Sequence, residues 1–336
     1  MRILVRGTNW IGDAVMTIPA IRSLRRLFPD AKIILQTREW ARGILDQGNL
    51  FDEIITPRGF LDQVNEIRRR RFDLAIVLPN SFSSALAVRM GGVKRRFGYA
   101  AERRSLLFTD PVEIPEWKDT RHEVFYYLEL IAAVEQSYFN RVTEPHDLEP
   151  SLVIPDSGSA SARELMTTRG VDMNRKIVAL APGSTNSRAK RWLPERFSQL
   201  NDRLQSELNC NVILLGSKDD REISEHISGL SLNNPFDLTG ETDIKLAAAI
   251  LAEIDLLVSN DMGLAHLAPA VGTKTLVIFG PTNQITTRPM SELASIISAS
   301  VECSPCMLRD CPIDHRCMTR VSVDDVFARV VSILSG

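Results

Sequence analysis

Short runs of aliphatic and β-branched residues alternate along the chain with longer segments in which apolar residues recur every three or four positions. This alternation is typical of βαβ units, in which helices join parallel strands. In the first half it predicts strands over 2–6, 32–36, 53–56, 74–78 and 96–99 and helices over 13–28, 61–70 and 120–133. In the second half it predicts strands over 176–181, 212–215, 237–238, 256–259 and 275–279, again with helices between them.

The periodicity fades over 136–155, where three prolines lie in a polar setting. We therefore expect an α/β protein with two doubly wound, Rossmann-like domains, 1–155 and 156–321, which suits the length of 336 residues. Residues 322–336 read as an amphipathic helix that crosses back to the N-terminal domain. Because such sheets bind ligands at the carboxyl ends of their strands, a site is expected in a cleft where the two domains face each other.

Composition narrows the class of protein. An apolar fraction of 44% and a net charge of -2 describe a soluble globular chain, and no run of 18 apolar residues predicts a membrane span. The N-terminal stretch becomes charged too early for a signal peptide, so we expect a cytoplasmic protein with reduced cysteines.

The charge is distributed unevenly. Residues 1–104 contain 19 Lys plus Arg against 10 Asp plus Glu, whereas 105–150 contain 3 against 10. Much of the positive excess lies in short clusters of Lys and Arg, and a single cluster of this kind is often only a solvated helix end. Taken together, the clusters suit an anionic substrate or an anionic membrane surface. We expect no nucleic-acid partner, because the clusters lack interleaved aromatic residues.

The first glycine-rich turn reads GTNWIGDAVMTIP, residues 7–19. Its two glycines have the spacing that begins a phosphate-binding P-loop, but Asp13 stands where that loop continues with lysine. Since a carboxylate repels phosphate, this turn is better suited to a neutral group that must lose a proton. The alternative is that Asp13 caps a helix beginning at Ala14.

Two stretches of the second half carry features of phosphate sites. In APGSTNSRAKRWLPERF, residues 181–197, Gly183 permits close backbone approach, Ser184 and Thr185 are hydroxyl donors and Lys190 is a cation, although an ordinary turn remains an alternative. Trp192 is interpreted as packing and Pro194 as a helix start.

The second stretch is VSNDMGLAHLAPAVGTKTLVIFGPTN, residues 258–283. Here the residues after Asp261 open a helix whose free amides favour an anion, unless Asp261 only caps that helix. His266 also has two interpretations, as a site residue or as a core histidine.

These stretches, in this order and spacing, resemble the bacterial ADP-heptose:lipopolysaccharide heptosyltransferases, inverting enzymes of glycosyltransferase family 9 with the GT-B fold. The NWIGD sequence and the cysteine-rich tail most resemble the heptosyltransferase II branch. The resemblance implies transfer of L-glycero-D-manno-heptose from ADP-heptose to the heptose of heptosyl-Kdo2-lipid A in lipopolysaccharide inner-core biosynthesis. The alternatives are a heptosyltransferase I or III-type enzyme with another core or protein acceptor, a binding protein without turnover, and a sugar epimerase.

The resemblance also implies roles for individual residues. Asp13 matches the catalytic base. Lys190 matches the basic residue at the donor diphosphate and is also expected to take part in catalysis. Arg6 and Arg58 are expected to bind the acceptor. The implied donor-binding residues are Ser184, Thr185, Lys190, Glu222, Asp261, Met262, Gly263, Leu264 and His266. For the ribose contact, Asp219 and Asp220 compete with Glu222.

The resemblance implies no required cofactor, and a monomer that works at the cytoplasmic face of the inner membrane, bound peripherally to its anionic surface. The tail cysteines Cys303, Cys306, Cys311 and Cys317 contain one CxxC but lack the paired knuckles of a structural zinc site. Metal or cluster binding, a disulfide and plain loop packing all remain open for them. Cys210 is expected to be a buried thiol.

Overall fold

The computed structural model describes residues 1–46, 50–101, 103–185 and 187–336. Its internal contacts divide the chain into two compact units, Met1–Leu152 and Val153–Gly336. Each unit is built around one six-stranded, all-parallel sheet. Among the helices in the described ranges, none combines the length and apolar character needed to cross a bilayer.

The first unit has the strand order β3-β2-β1-β4-β5-β6. Its elements in chain order are β1 (Arg2–Arg6), α1 (Ile11–Met16), α2 (Ile18–Leu27), β2 (Lys32–Gln36), α3 (Glu39–Leu45), β3 (Glu53–Ile55), α4 (Phe60–Arg70), β4 (Leu74–Val77), α5 (Phe82–Met90), β5 (Arg95–Tyr99), β6 (Asp110–Val112) and α6 (Glu123–Phe139), with a 3₁₀ turn at Ser105–Leu107.

The second unit repeats this arrangement, with the order β12-β11-β10-β7-β8-β9. Its elements are α7 (Asp156–Thr168), β7 (Ile177–Ala181), α8 (Pro194–Leu208), β8 (Asn211–Leu214), α9 (Arg221–Leu230), β9 (Phe236–Asp237), α10 (Ile244–Ala252), β10 (Leu256–Asn260), α11 (Gly263–Ala270), β11 (Lys274–Phe279), α12 (Gln284–Thr287), β12 (Ala294–Ser298), α13 (Arg316–Thr319) and α14 (Val323–Ser335), with 3₁₀ turns at Arg188–Lys190 and Lys218–Asp220. Both orders equal the 3-2-1-4-5-6 arrangement of Rossmann domains, so the predicted fold class is confirmed.

Central strands of both sheets are apolar on both faces, as parallel strands covered by helices must be. Residues Ile3 to Val5 are fully buried, and so are Val178 to Ala181. On one face of the first sheet a core joins strands to α4 and α5. In the second unit Trp192, Phe197 and Met318 belong to one core with α8 and α14. This burial confirms Trp192 as a packing residue.

Some elements differ from the sequence prediction. The single helix predicted over 13–28 is two helices that meet at Thr17, because Pro19 has no amide hydrogen for a continuous helix and is accepted in the first turn of α2. The pattern missed α3, α5, β6 and β12. Of these, β6 contains Pro111 and has only three residues, and α5 has no clear polar stripe because most of its residues are small or apolar.

The last helix, α14, packs against α8 and β11 of the second unit. Its N-cap is Ser322, whose hydroxyl oxygen accepts a hydrogen bond from the Asp325 amide at 3.1 Å. Its crossing back to the first domain stays a prediction.

Candidate functional site

A partly buried ion pair lies where β7 and β10 end in the second unit. Lys190 Nζ is 2.8 Å from Asp261 Oδ2, and the Thr282 hydroxyl donates to the same oxygen at 2.7 Å. The side chain of Asp261 is 5% exposed and that of Lys190 is 27% exposed, so the carboxylate lies beneath the ammonium. Sequence reasoning had placed Lys190 and Asp261 separately at this rim, and the structure brings them into contact.

Asn260 holds the two loops of this rim together. Its side-chain amide donates to the carbonyl oxygen of Pro182 at 2.7 Å, and its side-chain oxygen accepts from the Trp192 amide at 2.9 Å. Asn260 is fully buried. The sequence analysis gave it no role, although its place between a predicted strand and Asp261 was a signal.

The helix α11 begins directly beside this ion pair. Its N-cap is Met262, which makes no side-chain capping bond, and Gly263 is its first residue. Asp261 therefore does not cap α11, and its carboxylate contacts Lys190 and Thr282 instead. The first amides of α11, from Gly263 and Leu264, have no partner in the preceding turn of a helix, so this end attracts negative charge. His266 is buried one turn further along.

The turn after β7 is packed tightly against the turn after β8. A Cβ atom added at Gly183 would lie 2.2 Å from Asp220 Oδ1, so only glycine lets the two turns approach this closely. Ser184 is buried next to it, Thr185 is exposed, and Asn186 lies outside the described residues. Ser184 and Thr185 thus lie on the same rim as Lys190.

The candidate acids for a ribose contact occupy different environments. Asp220 is buried, and its Oδ2 accepts hydrogen bonds from the amide and hydroxyl of Ser217 at 2.9 and 2.7 Å. Asp219 and Glu222 are exposed, with Glu222 in the first turn of α9. Asp220 therefore has a structural task, which leaves Glu222 and Asp219 as the accessible carboxylates.

In the first unit, Asp13 lies in the first turn of α1. The helix begins at Ile11 and its N-cap is Trp10, so the alternative that Asp13 caps a helix starting at Ala14 is wrong. A carboxylate in a first turn is favoured by the helix dipole. Burial, with a smaller contribution from the charge of Asp13, raises the pKa of Tyr127 well above its usual value, which places Asp13 near α6.

Arginine side chains lie at or just after the carboxyl ends of the three strands β1, β2 and β3. Arg6 and Arg38 both donate to the side-chain oxygen of Asn9, at 3.3 and 3.4 Å. Arg6 is 8% exposed, and burial, followed by the charge of Arg38, lowers its pKa to about 10. Arg58 is exposed and directly precedes Gly59, the N-cap of α4, and its backbone amide donates to the Asp62 carboxylate at 2.9 Å. The sequence analysis missed Arg38, although it follows a predicted strand by two residues.

Comparison with known proteins decides the family. Residues 62–316 match the family model described as glycosyltransferase family 9 (heptosyltransferase). The chain belongs to glycosyltransferase family 9.

Relatives within this family align over most of the chain. The chain is 32% identical over 319 residues to lipooligosaccharide heptosyltransferase 2 of Haemophilus ducreyi, with 88% of each chain covered. It is 29% identical over 312 residues to lipopolysaccharide heptosyltransferase 2 of Escherichia coli, again with 88% covered. The solved structure of E. coli ADP-heptose LPS heptosyltransferase II superposes with a TM-score of 0.85 at 26% identity, covering 100% of this chain and 99% of that one. The family and fold expected from the sequence are thereby confirmed.

The cysteine-rich tail of this family 9 enzyme lies beside the end of β11. Its four cysteines line one small cavity together with His315, whose Nε2 is 2.7 Å from the Ala189 carbonyl oxygen. Cys303 and Cys306 are exposed and Cys317 is buried, and all carry free thiols. Burial, and after it the neighbouring thiols, raise the pKa of Cys317. Within the described ranges, no group of three or more His, Cys, Asp and Glu side chains is arranged to hold a metal ion.

Cys210 is buried in the core of the second unit, as expected. Burial raises the pKa of its thiol, which favours the unreactive protonated form.

Proposed function

We propose that this protein is an inverting glycosyltransferase that transfers L-glycero-D-manno-heptose from ADP-heptose to the heptose of heptosyl-Kdo2-lipid A. The observation that carries the proposal is the Lys190–Asp261 ion pair at the start of α11. It places a cation, free helix amides and a carboxylate together at one rim of the second sheet, which suits a sugar diphosphate. Similarity over 88% of the chain to enzymes named heptosyltransferase 2 supports heptose as the sugar.

The donor is assigned to the second unit. The ammonium of Lys190 and the amides of Met262, Gly263 and Leu264 bind the diphosphate, and the hydroxyls of Ser184 and Thr185 assist on the neighbouring turn. Asp261 accepts hydrogen bonds from heptose hydroxyls, with His266 behind it in α11. Glu222 contacts the ribose, since it is exposed and in the first turn of α9.

The acceptor is assigned to the first unit, where Arg6 and Arg58 lie at the carboxyl ends of β1 and β3. Asp13 takes the proton from the attacking hydroxyl while the new bond to the anomeric carbon forms. One displacement inverts the anomeric configuration, so no covalent sugar–enzyme intermediate is required. Negative charge then develops on the leaving ADP and is stabilised by Lys190 and the amides of α11, without a metal cofactor in this scheme.

A membrane-anchored acceptor implies work at the inner face of the cytoplasmic membrane. We place the peripheral contact on the basic first unit, where the helix α4 ends in three arginines and Arg71 follows. Arg68 and Arg71 form no ion pair with a described residue and are available for anionic lipid. The proposed working form is a monomer.

The deciding measurement is ADP release from ADP-heptose by the wild-type protein, with and without heptosyl-Kdo2-lipid A, together with identification of the glycosylated product. Asp13→Asn is expected to reduce turnover by about 10²–10⁴-fold, the contribution of a general base, while ADP-heptose binding stays unchanged. Asp30→Asn, the same charge change at an exposed turn of the same unit, serves as the control and should keep wild-type turnover.

Two results would contradict the proposal. Wild-type turnover in Asp13→Asn would remove the assigned base. Transfer to Kdo2-lipid A or to a longer core, but not to heptosyl-Kdo2-lipid A, would support a heptosyltransferase I or III-type acceptor instead. Presenting the acceptor in vesicles with and without anionic lipid extends the same assay: equal rates in both at low salt would contradict the membrane contact.

A further inference from the structure

The cysteine-rich tail, residues 303–317, reaches the turn that carries Lys190. Ala189, the residue directly before Lys190, is 2% exposed, and both of its backbone polar groups bond to the tail. Its amide donates to the Arg309 carbonyl oxygen at 2.9 Å, and its carbonyl oxygen lies 2.7 Å from Nε2 of His315. Because a carbonyl oxygen only accepts hydrogen bonds, Nε2 of His315 carries a hydrogen and donates. The backbone next to Lys190 is therefore held by the tail at both its donor and its acceptor.

Other contacts of this turn hold it less firmly. The Lys190 amide donates to the Ser187 carbonyl oxygen at 3.4 Å, which is long for a hydrogen bond. Arg188 pairs with Asp310 of the tail, but the two side chains are 79% and 62% exposed, and such exposed pairs contribute little. The bond from His315 is short and partly shielded from water, so we expect it to constrain the turn more than the exposed pair does.

The backbone of His315 is anchored to the core of the second unit. Its carbonyl oxygen accepts from the Met318 amide at 2.9 Å, and Met318 is fully buried. Its own amide donates to Cys311 Sγ at 3.3 Å. The imidazole therefore joins a fixed part of the core to the turn that carries Lys190.

The cysteine-rich tail also bonds to the loop after β11. The Met307 amide donates to the Pro281 carbonyl oxygen at 2.8 Å. The next residue, Thr282, donates its hydroxyl to Asp261, the partner of Lys190. One segment thus holds both loops that bring the ammonium and the carboxylate of the ion pair together.

We propose that His315 is a positioning residue for Lys190: its imidazole fixes the turn, and with it the place at which the ammonium meets the donor diphosphate. This rests on the donor assignment of the proposed function. The lysine ammonium is a point charge on a flexible stem, so its position depends on where its backbone is held. A backbone that is fixed before the ligand arrives lowers the cost of ordering the site on binding.

The primary test measures binding of ADP to the whole protein by calorimetry, which needs neither acceptor nor turnover. His315→Asn suits the left-handed backbone at this position, where φ is 55°, but its shorter side chain does not reach Ala189. ADP binding should weaken by about 2–10-fold, the worth of one hydrogen bond. His315→Gln places an amide nitrogen close to the position of Nε2 and should recover most of the affinity. Arg188→Met, which removes the exposed link between the same turn and the tail, should bind like wild type.

A second comparison tests whether His315 acts through Lys190. In a Lys190→Met background the ammonium is absent, so His315→Asn should weaken ADP binding by less than about twofold further, because the two positions are coupled. With ADP-heptose and acceptor, His315→Asn should raise KM for the donor and leave KM for the acceptor unchanged. Circular dichroism and urea unfolding check that each variant is folded.

Several outcomes would overturn the positioning role. These are wild-type ADP affinity in His315→Asn, equal losses in His315→Asn and His315→Gln, and an undiminished loss in the Lys190→Met background. ADP binding that depends on His315, without heptose transfer, would support the role while refuting the proposed function. Heptose transfer with a wild-type KM for ADP-heptose in His315→Asn would do the reverse, and a wild-type protein that binds no ADP would refute both.

Discussion

Gly183 is the position at which one added methyl group should disturb the second unit most clearly. In Gly183→Ala the new Cβ would lie 2.2 Å from one carboxylate oxygen of Asp220 and 2.7 Å from the other. Asp220 cannot yield without cost, because it is buried and holds both the amide and the hydroxyl of Ser217. The variant must either strain the turn after β7 or break these two hydrogen bonds.

The expected magnitude follows from those contacts. Overpacking a tight site costs about 1–3 kcal/mol, and each hydrogen bond to a charged group is worth about 1.5–3 kcal/mol. Since the turn can relax partly, we expect Gly183→Ala to destabilise the second unit by about 2–4 kcal/mol. In an Asp220→Ala background the obstructing carboxylate is absent, so the same substitution should cost less than about 1 kcal/mol. The coupling between the two positions is then about 2 kcal/mol.

Urea unfolding can follow the second unit by itself. Trp192 is the one tryptophan after residue 152, and replacing Trp10, Trp40 and Trp117 by phenylalanine makes it the only reporter. This matters because a chain with two units need not unfold in one step. Gly229→Ala is the control: its Cβ would meet nothing within 4 Å inside α9, so it should stabilise the unit by about 0.5–1 kcal/mol. A coupling near zero would refute the argument from contact geometry.

Lys190→Met should raise KM for ADP-heptose. It should also destabilise the second unit by roughly 1–3 kcal/mol, because the Asp261 carboxylate loses its cation. This cost is smaller than for a fully buried pair, since the Lys190 side chain is 27% exposed. Arg188→Met, which breaks an exposed pair with Asp310, should change neither quantity in the same kinetic and urea measurements, and equal effects would contradict the assignment. Burial alone would raise the pKa of Glu135, but hydrogen bonds from Thr143 together with the ion pair to Arg141 outweigh it and lower the pKa below 4.5. Glu135 therefore stabilises the first unit above that pH and loses this contribution as the pH falls through its lowered pKa. The urea midpoint of wild type should exceed that of Glu135→Gln at neutral pH, and the two midpoints should converge at acid pH. A difference between them that stays constant with pH would reject the mechanism.

The long, regular elements could be predicted because their apolar positions repeat at the spacing of a helix or a buried strand. The bounds of β1 and β2 agree with the pattern to the residue. Elements without a strong period were missed: α5 is apolar or small on most sides, and β6 and β12 are edge strands that are only half-buried. Their structure depends on neighbours that lie elsewhere in the chain, and a local pattern contains no information about those neighbours.

The sequence by itself determined the two-sheet α/β class, the family, and the turns that carry Asp13, Lys190 and Asp261. These follow from local patterning, because a strand ending in a glycine turn before a helix places its next residues at the carboxyl edge of the sheet. Only the tertiary structure decided how residues distant in sequence interact. It pairs Lys190 with Asp261 across 71 positions, and it brings Arg6 and Arg38 together at the side-chain oxygen of Asn9. The physical reason is that charge pairing and burial depend on distances between side chains, which are fixed only when the sheets form.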